Sequence, residues 1–465
     1  MRHARGAIRN RARGNATLIA DERRQRRYRG PDQVDVETFG GEGPGVKQHA
    51  RALTEIAEHD EGGSHGWLEV AARPIRRGLR DEHQRAPARM VGWRRFIMPR
   101  RVAMVVGDTA GHVLPALAIA DTYHALHADV EVTFLAGKGG WANRLIADAD
   151  GSLIVVPSTP LVRVGAIGVL AGAFRVIPTF AVARRVLQQR RIMLVVGTGG
   201  SASGGVVLAA RSLGVPTAIV EPNAVPGFAN RLLSRVAGRA YVMFDETADH
   251  FPAGRALKTG LPVLNSRARL RASRTGPSPD RPARIFITGG SRGDAFLARS
   301  VPPLVASIHR LGVAIEVRHQ VSALDPRQLE TQYQQLGITA LVLPFAGEVF
   351  EHYDWADVVI ARAGAGTLAD LALAGVPSLL VPLADAAADH QAENAAAFGA
   401  RDAALWVRES AWDSDALGRR LANLLREPAR WHAMSSAACA LAAPDAAAAI
   451  VHDCEKVITE RWPST

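Results

Sequence analysis

The chain runs to 465 residues, 48% hydrophobic and 22% charged, with a formal net charge of +11. That balance describes a globular protein long enough for two or three domains. Two cysteines, Cys439 and Cys454, exclude a disulfide framework, and no Cys/His spacing fits a zinc site.

The charge is unevenly placed, with 21 Lys/Arg against 13 Asp/Glu in the first hundred residues. This region carries arginine runs such as Arg23-Arg24-Gln25-Arg26-Arg27 and few periodic apolar segments, so residues 1–97 read as a disordered Arg/Gly-rich extension. One reading is a tail for nucleic acid or anionic lipid. The favoured one is a reading frame begun too early, because Met98-Pro99-Arg100-Arg101 directly precedes the first good strand. No apolar secretory core is visible, and a reduced cytoplasmic setting is expected.

Order is expected from Arg101. Residues 102–106 form an apolar strand, then Gly107-Asp108-Thr109-Ala110-Gly111-His112 turns into an apolar helix over 113–126. Further strands at 130–135, 153–156, 193–196, 217–220 and 240–243 alternate with helical segments, the rhythm of a parallel, doubly wound sheet. The tract 161–180 is apolar but interrupted by Arg163 and Arg175, too short to span a membrane and suited to lying on one. An alternative is a long buried connection. A stretch rich in Arg, Pro and Ser at 266–282 reads as a linker.

The rhythm then restarts with a strand at 284–288, the turn Gly289-Gly290-Ser291-Arg292-Gly293, a helix at 295–309 and strands at 314–318 and 340–343. The stretch that organises the second half follows. Strand 358–360 leads into Ala361-Arg362-Ala363-Gly364-Ala365-Gly366-Thr367 and a helix from Leu368 to Ala374, then strand 377–381 and Asp389-His390-Gln391 with Asn394 one turn on. Strand, glycine turn and helix aim backbone N–H groups and a positive dipole end at one point, a seat for a pyrophosphate. Asp370 is then placed for ribose hydroxyls. Residues 445–461 form a last helix. Two such halves predict a ligand cleft between them.

No turn matches a P-loop or the dinucleotide fingerprint. Asp148-Ala149-Asp150 and Asp413-Ser414-Asp415 are Asp-x-Asp patterns that follow no strand; the first reads as solvated charge and the second as a helix cap, so no metal and no cofactor is expected.

Four segments carry a resemblance: Gly107 to Ala118, Val220-Glu221-Pro222-Asn223-Ala224-Val225-Pro226-Gly227, Gly289 to Gly293, and Asp389-His390-Gln391 with Asn394. Collinear from about Met98 onward, they resemble glycosyltransferase family 28, whose members transfer N-acetylglucosamine (GlcNAc) from UDP-GlcNAc to undecaprenyl-diphospho-muramoyl-pentapeptide. The resemblance implies an α/β GT-B fold, two Rossmann-like doubly wound domains facing a cleft. The first, 98–265, takes the acceptor and the membrane; the second, 266–444, takes the UDP-sugar; 445–465 is a terminal helix and tail.

The resemblance also implies roles. Thr109, Ala110, Gly111 and Ser291 meet diphosphate and sugar, and Ala346 with Ala365, Gly366, Thr367 and Leu368 surround uracil and diphosphate. Asp370 takes the ribose, His390, Gln391 and Asn394 the GlcNAc, and Asn223 sits near sugar and acceptor. His112 is the implied base, with Glu221 as the other candidate. Departures from the family pattern are Asp108 and Ala110 for glycines, Ser201 for a tyrosine, Val220 and Pro222 for polar residues, and Leu264 for an arginine that meets the diphosphate. Arg292 or Arg362 is the candidate replacement for that charge. The expected activity is a peripheral, inner-membrane, metal-independent GlcNAc transfer to a lipid-diphosphate sugar, lipid I first, with no nucleic-acid partner. The alternatives are a relative with another acceptor and a non-catalytic UDP-sugar binder.

Overall fold

The computed structural model describes residues 99–107, 109–138, 142, 146, 152–158, 166–264, 274–290, 294–322, 324–344, 349–384 and 389–462, with backbone alone for 166–175. The extension 1–97, Asp108, Asp148-Ala149-Asp150, Ser291, Arg292 and Ala346 lie outside these residues.

Two all-parallel sheets organise the chain. The first has seven strands in the order β3-β2-β1-β4-β5-β6-β7, with β1 Arg101–Val106, β2 Glu131–Ala136, β3 Ser152–Val155, β4 Leu194–Gly197, β5 Thr217–Glu221, β6 Arg239–Val242 and β7 Ala256–Lys258. The second has six, in the order β10-β9-β8-β11-β12-β13, with β8 Ala283–Thr288, β9 Ile315–Gln320, β10 Thr339–Leu343, β11 Val358–Ala361, β12 Ser378–Leu380 and β13 Leu405–Trp406. Central strands are covered on both faces, so they read as unbroken apolar runs; Val102 to Val106 and Val358 to Ala361 are all buried.

Between the strands of the first lobe lie α1 (Ala110–Leu126), α2 (Ala166–Gln189), α3 (Ser203–Ser212), α4 (Phe228–Leu233) and α5 (Asp245–Ala248). The second lobe carries α6 (Ala295–Arg310), α7 (Pro326–Gln335), α8 (Val349–Trp355), α9 (Ala365–Ala374), α10 (His390–Gly399), α11 (Ser414–Arg426) and α12 (Pro428–Ala440). As expected, Asp413 caps α11, its carboxylate accepting from the N–H groups of Asp415 and Ala416.

The last helix, α13 (Ala446–Arg461), does not stay with the second lobe. It packs on α1 of the first lobe. Ile450, Val451, Cys454 and Ile458 form its buried stripe. Tyr241 donates its hydroxyl to Asp453 (3.0 Å), Arg239 pairs with the same carboxylate (3.1 Å), and Arg100 donates to Glu455 (2.6 Å). The helix expected over 445–461 is thus present, and it packs with the first lobe.

Strand order 3-2-1-4 puts the switch point of the first sheet between β1 and β4. The corresponding point of the second lies between β8 and β11. The turns following all four strands are the glycine-rich ones, at the carboxyl ends where such folds take ligands.

Candidate active site

In the first lobe, three glycines bring the turns after β1 and β4 into contact. Gly200 has φ +93, and a Cβ there would overlap Gly107 Cα; Gly199 has φ +116, and a Cβ there would lie 2.7 Å from His112 Cδ2 and 2.8 Å from its Nε2. The imidazole of His112 therefore rests in a slot that only glycine leaves open. Its Nδ1 lies 3.2 Å from Thr109 Oγ1, and its backbone carbonyl accepts from Thr198 Oγ1 at 2.6 Å. When Nδ1 carries the proton and donates to Thr109, Nε2 keeps its lone pair and can accept a proton from a substrate. Thr109, Ala110 and Gly111 open α1, a start with no side-chain cap and no acid in its first turn. Its leading N–H groups and dipole are left for an anion.

In the second lobe, Ala365, Gly366 and Thr367 open α9 behind Gly364, again with no side-chain cap and no acid in the first turn. Leu368 is buried behind them, and Asp370 is buried on the second turn rather than standing at the helix mouth. The neighbouring turn after β8 is held from below: Thr288 donates to Gln320 (2.6 Å), and its oxygen accepts from Gly290 N–H (3.1 Å). His390 and Gln391 open α10 half-buried, with Gln391 Oε1 accepting from Leu383 N–H at 3.0 Å.

Three assignments change on contact with the structure. Glu221 is 1% exposed, and both of its oxygens are occupied. Oε1 accepts from the N–H and the side-chain amide of Asn223 (3.0 Å each), and Oε2 from Gly227 N–H and Asn230 Nδ2 (2.9 Å each). A carboxylate sealed by four donors is a strut for the loop 222–227, not a base that meets substrate. Asn394 is fully buried: its Oδ1 accepts from Ala224 N–H (2.8 Å), and its two amide hydrogens go to Asn223 Oδ1 (3.1 Å) and Ala363 O (3.2 Å). It joins the lobes and has no hydrogen left for a sugar hydroxyl. Arg362 is buried, ion-paired to Asp294 and to Glu409 (2.6 Å), and donates to the carbonyls of Val381 (3.0 Å) and Pro382 (3.1 Å), so it is not the replacement for the lost diphosphate arginine. The position of that arginine holds a buried Leu264.

Sequence reading missed Asn230, Asp294, Glu409 and Thr247. Asn230 lies nine residues beyond the strut it supports, and the Asp294–Arg362 pair is separated by 68 positions. No local pattern marks either. Among the described residues, no group of three His, Cys, Asp or Glu side chains could hold a metal ion.

Two parallel-sheet lobes, each turning an uncapped helix start toward its carboxyl edge, make this a GT-B α/β protein with the parts of a nucleotide-sugar transferase. The chain belongs to glycosyltransferase family 28: that family's N-terminal domain matches residues 102–242 and its C-terminal domain residues 284–450. It is 35% identical over 355 residues to the UDP-N-acetylglucosamine--N-acetylmuramyl-(pentapeptide) pyrophosphoryl-undecaprenol N-acetylglucosamine transferase of Magnetococcus marinus, covering 76% of this chain and 96% of that one. The transferase of the same name from Nitratidesulfovibrio vulgaris (strain Hildenborough) is 36% identical over 353 residues, with coverage of 76% and 96%. The crystal structure of MurG from Acinetobacter baumannii aligns with a TM-score of 0.66 at 31% identity, covering 77% of this chain and all of that one.

Proposed function

We propose that this chain transfers GlcNAc from UDP-GlcNAc to the muramoyl sugar of an undecaprenyl diphosphate, converting lipid I to lipid II. The carrying observation is the pair of uncapped helix starts, α1 with His112 in one lobe and α9 in the other. The α9 N–H groups and the turn after β8 receive the diphosphate, and Gln391 with His390 faces the sugar. The acceptor hydroxyl attacks the anomeric carbon from the face opposite UDP. One C–O bond forms as the bond to the diphosphate breaks, and the hydroxyl proton passes to His112 Nε2. Departing negative charge is stabilised by the helix start, so the assignment needs no metal. Glu221 and Asn394 act by position.

The same reading puts the enzyme on the cytoplasmic face of the inner membrane as a peripheral protein. No described helix is long and apolar enough to cross a bilayer. On its described part α2 exposes Ile177 (55%) and Arg185, and α4 exposes Phe228 (65%) and Leu232 (57%) with Arg231. Apolar tips among arginines suit an interface of anionic lipid.

The direct test is UDP release by the purified full chain given UDP-GlcNAc and lipid I. Turnover that requires both, and that fails with UDP-glucose, supports the reading. UDP-GlcNAc binding with no transfer to lipid I removes it.

A further inference from the structure

One face of α10 spans the gap between the lobes at three levels. Asn394, Phe398 and Arg401 follow at intervals of four and three, the spacing of a single helical stripe that continues one turn past Gly399. Asn394 clasps Asn223 and Ala224, as described. Phe398 meets Phe244 edge to face, with ring centroids 6.1 Å apart. Arg401 makes a two-pronged pair with Glu246 (2.7 and 3.1 Å) and lies 3.7 Å from Asp245. Asp245 and Glu246 open α5 of the acceptor lobe, where acids suit the helix dipole, and Arg401 stands beyond the carboxyl end of α10, where a cation does.

The three levels form a closed circuit. The residue after Glu246, Thr247, is buried and directs its hydroxyl at the carbonyls of Asn223 (2.9 Å) and Ala224 (3.0 Å). The loop that carries Asn223 is thus gripped from one side by Asn394 and from the other by the helix that Arg401 holds. The opposite end of α10 bears His390 and Gln391. One rigid rod therefore runs from the donor sugar to the acceptor loop.

We infer that Arg401 and Glu246 form an interlobe latch that positions the Asn223 loop against the donor sugar through α10 and Thr247. They are positioning residues. Neither touches the reacting atoms, and the inference rests on the transfer reaction proposed above only for its kinetic arm. An exposed pair is individually weak, but charge reversal turns two attractions into two repulsions at one point, since both Asp245 and Glu246 face position 401.

The test compares wild type, Arg401→Glu and the double variant Arg401→Glu with Glu246→Arg. Hydrogen exchange is followed on the peptide that includes the amides of Asn223, Ala224 and Gly227. Arg401→Glu is expected to speed that exchange and to lower kcat with lipid I by about tenfold, without changing the affinity for UDP-GlcNAc measured by calorimetry. The double variant recovers most of both losses. Unchanged exchange in Arg401→Glu overturns the latch, as does a double variant no better than the single one. Loss of UDP-GlcNAc affinity in proportion to kcat also overturns it, because that marks damage to the donor pocket. If wild type itself fails to turn over lipid I, the proposed reaction falls, while the exchange arm still decides the latch.

Discussion

The two lobes share strand, glycine turn and helix, yet they hold their mouths open by different means. In the first lobe the parts are small: glycines that seat His112, and amide hydrogen bonds converging on the single carboxylate of Glu221. In the second lobe the frame is ionic, with Arg362 buried between Asp294 and Glu409 and tied to the chain at Val381 and Pro382. The second lobe thus keeps its buried cation neutralised inside and leaves the start of α9 without a side-chain cap.

The comparison breaks most sharply at His112. His112→Ala is expected to lower kcat by about 10² to 10⁴ while UDP-GlcNAc affinity holds, read by UDP release with lipid I; turnover that survives would take the base away from this lobe. Next in size is Arg362→Met, which strands the buried carboxylate of Asp294 and the half-buried one of Glu409 and should cost about 3–5 kcal/mol in urea unfolding. A loss below about 1 kcal/mol would mean the frame is not ionic in effect.

Glu221→Gln should cost about 1–3 kcal/mol of stability or its equivalent in kcat/KM, because an amide N–H replaces an oxygen that faces two N–H donors. The acid limb of the rate profile should stay where it is, whereas a base at this position would lose that limb. In the second lobe, complete burial drops the His319 imidazole to about 3, with Tyr333 hydroxyl 2.9 Å from its Nδ1. Its folded value lies below the ordinary one, so the unfolded chain takes up the proton first. Stability is full above about pH 6.5 and falls as pH drops toward 3, by about 1.4 kcal/mol per unit from this group. His319→Gln should flatten that slope in a pH series of thermal melts.

The smallest effect is expected in the first lobe, where burial lifts the Asp121 carboxyl to about 6. The folded chain therefore keeps this carboxyl protonated up to about pH 6, and above that pH it carries the charge at a cost the unfolded chain does not bear. Asp121→Asn should stabilise the protein at pH 8 by on the order of 1 kcal/mol and change little near pH 4. Equal effects at both pH values would remove burial as the cause.

Much of the fold was legible because parallel strands covered on both faces leave contiguous apolar runs, and every predicted strand appears within two residues of its observed bounds. β7 escaped because it is three residues long, Ala256-Leu257-Lys258, at a sheet edge. Helix α7 escaped because only Leu329 and Tyr333 of its ten residues are buried, too few for a period. At the site, the turns that open α1 and α9 could be read from glycines following strands. The fates of Glu221, Asn394 and Arg362 could not, because each is set by partners chosen in three dimensions.

By itself the sequence determined two doubly wound lobes, the glycine turns that open helices after their central strands, and a histidine at one of them, since these follow from apolar runs and from the backbone freedom of glycine. Only the tertiary structure decided which polar residues are consumed by partners within the protein. Asn394 meets Ala224 across 170 positions and Arg401 meets Glu246 across 155. A hydrogen bond between such distant residues depends on how the lobes pack, and packing leaves no mark on the local pattern of the chain.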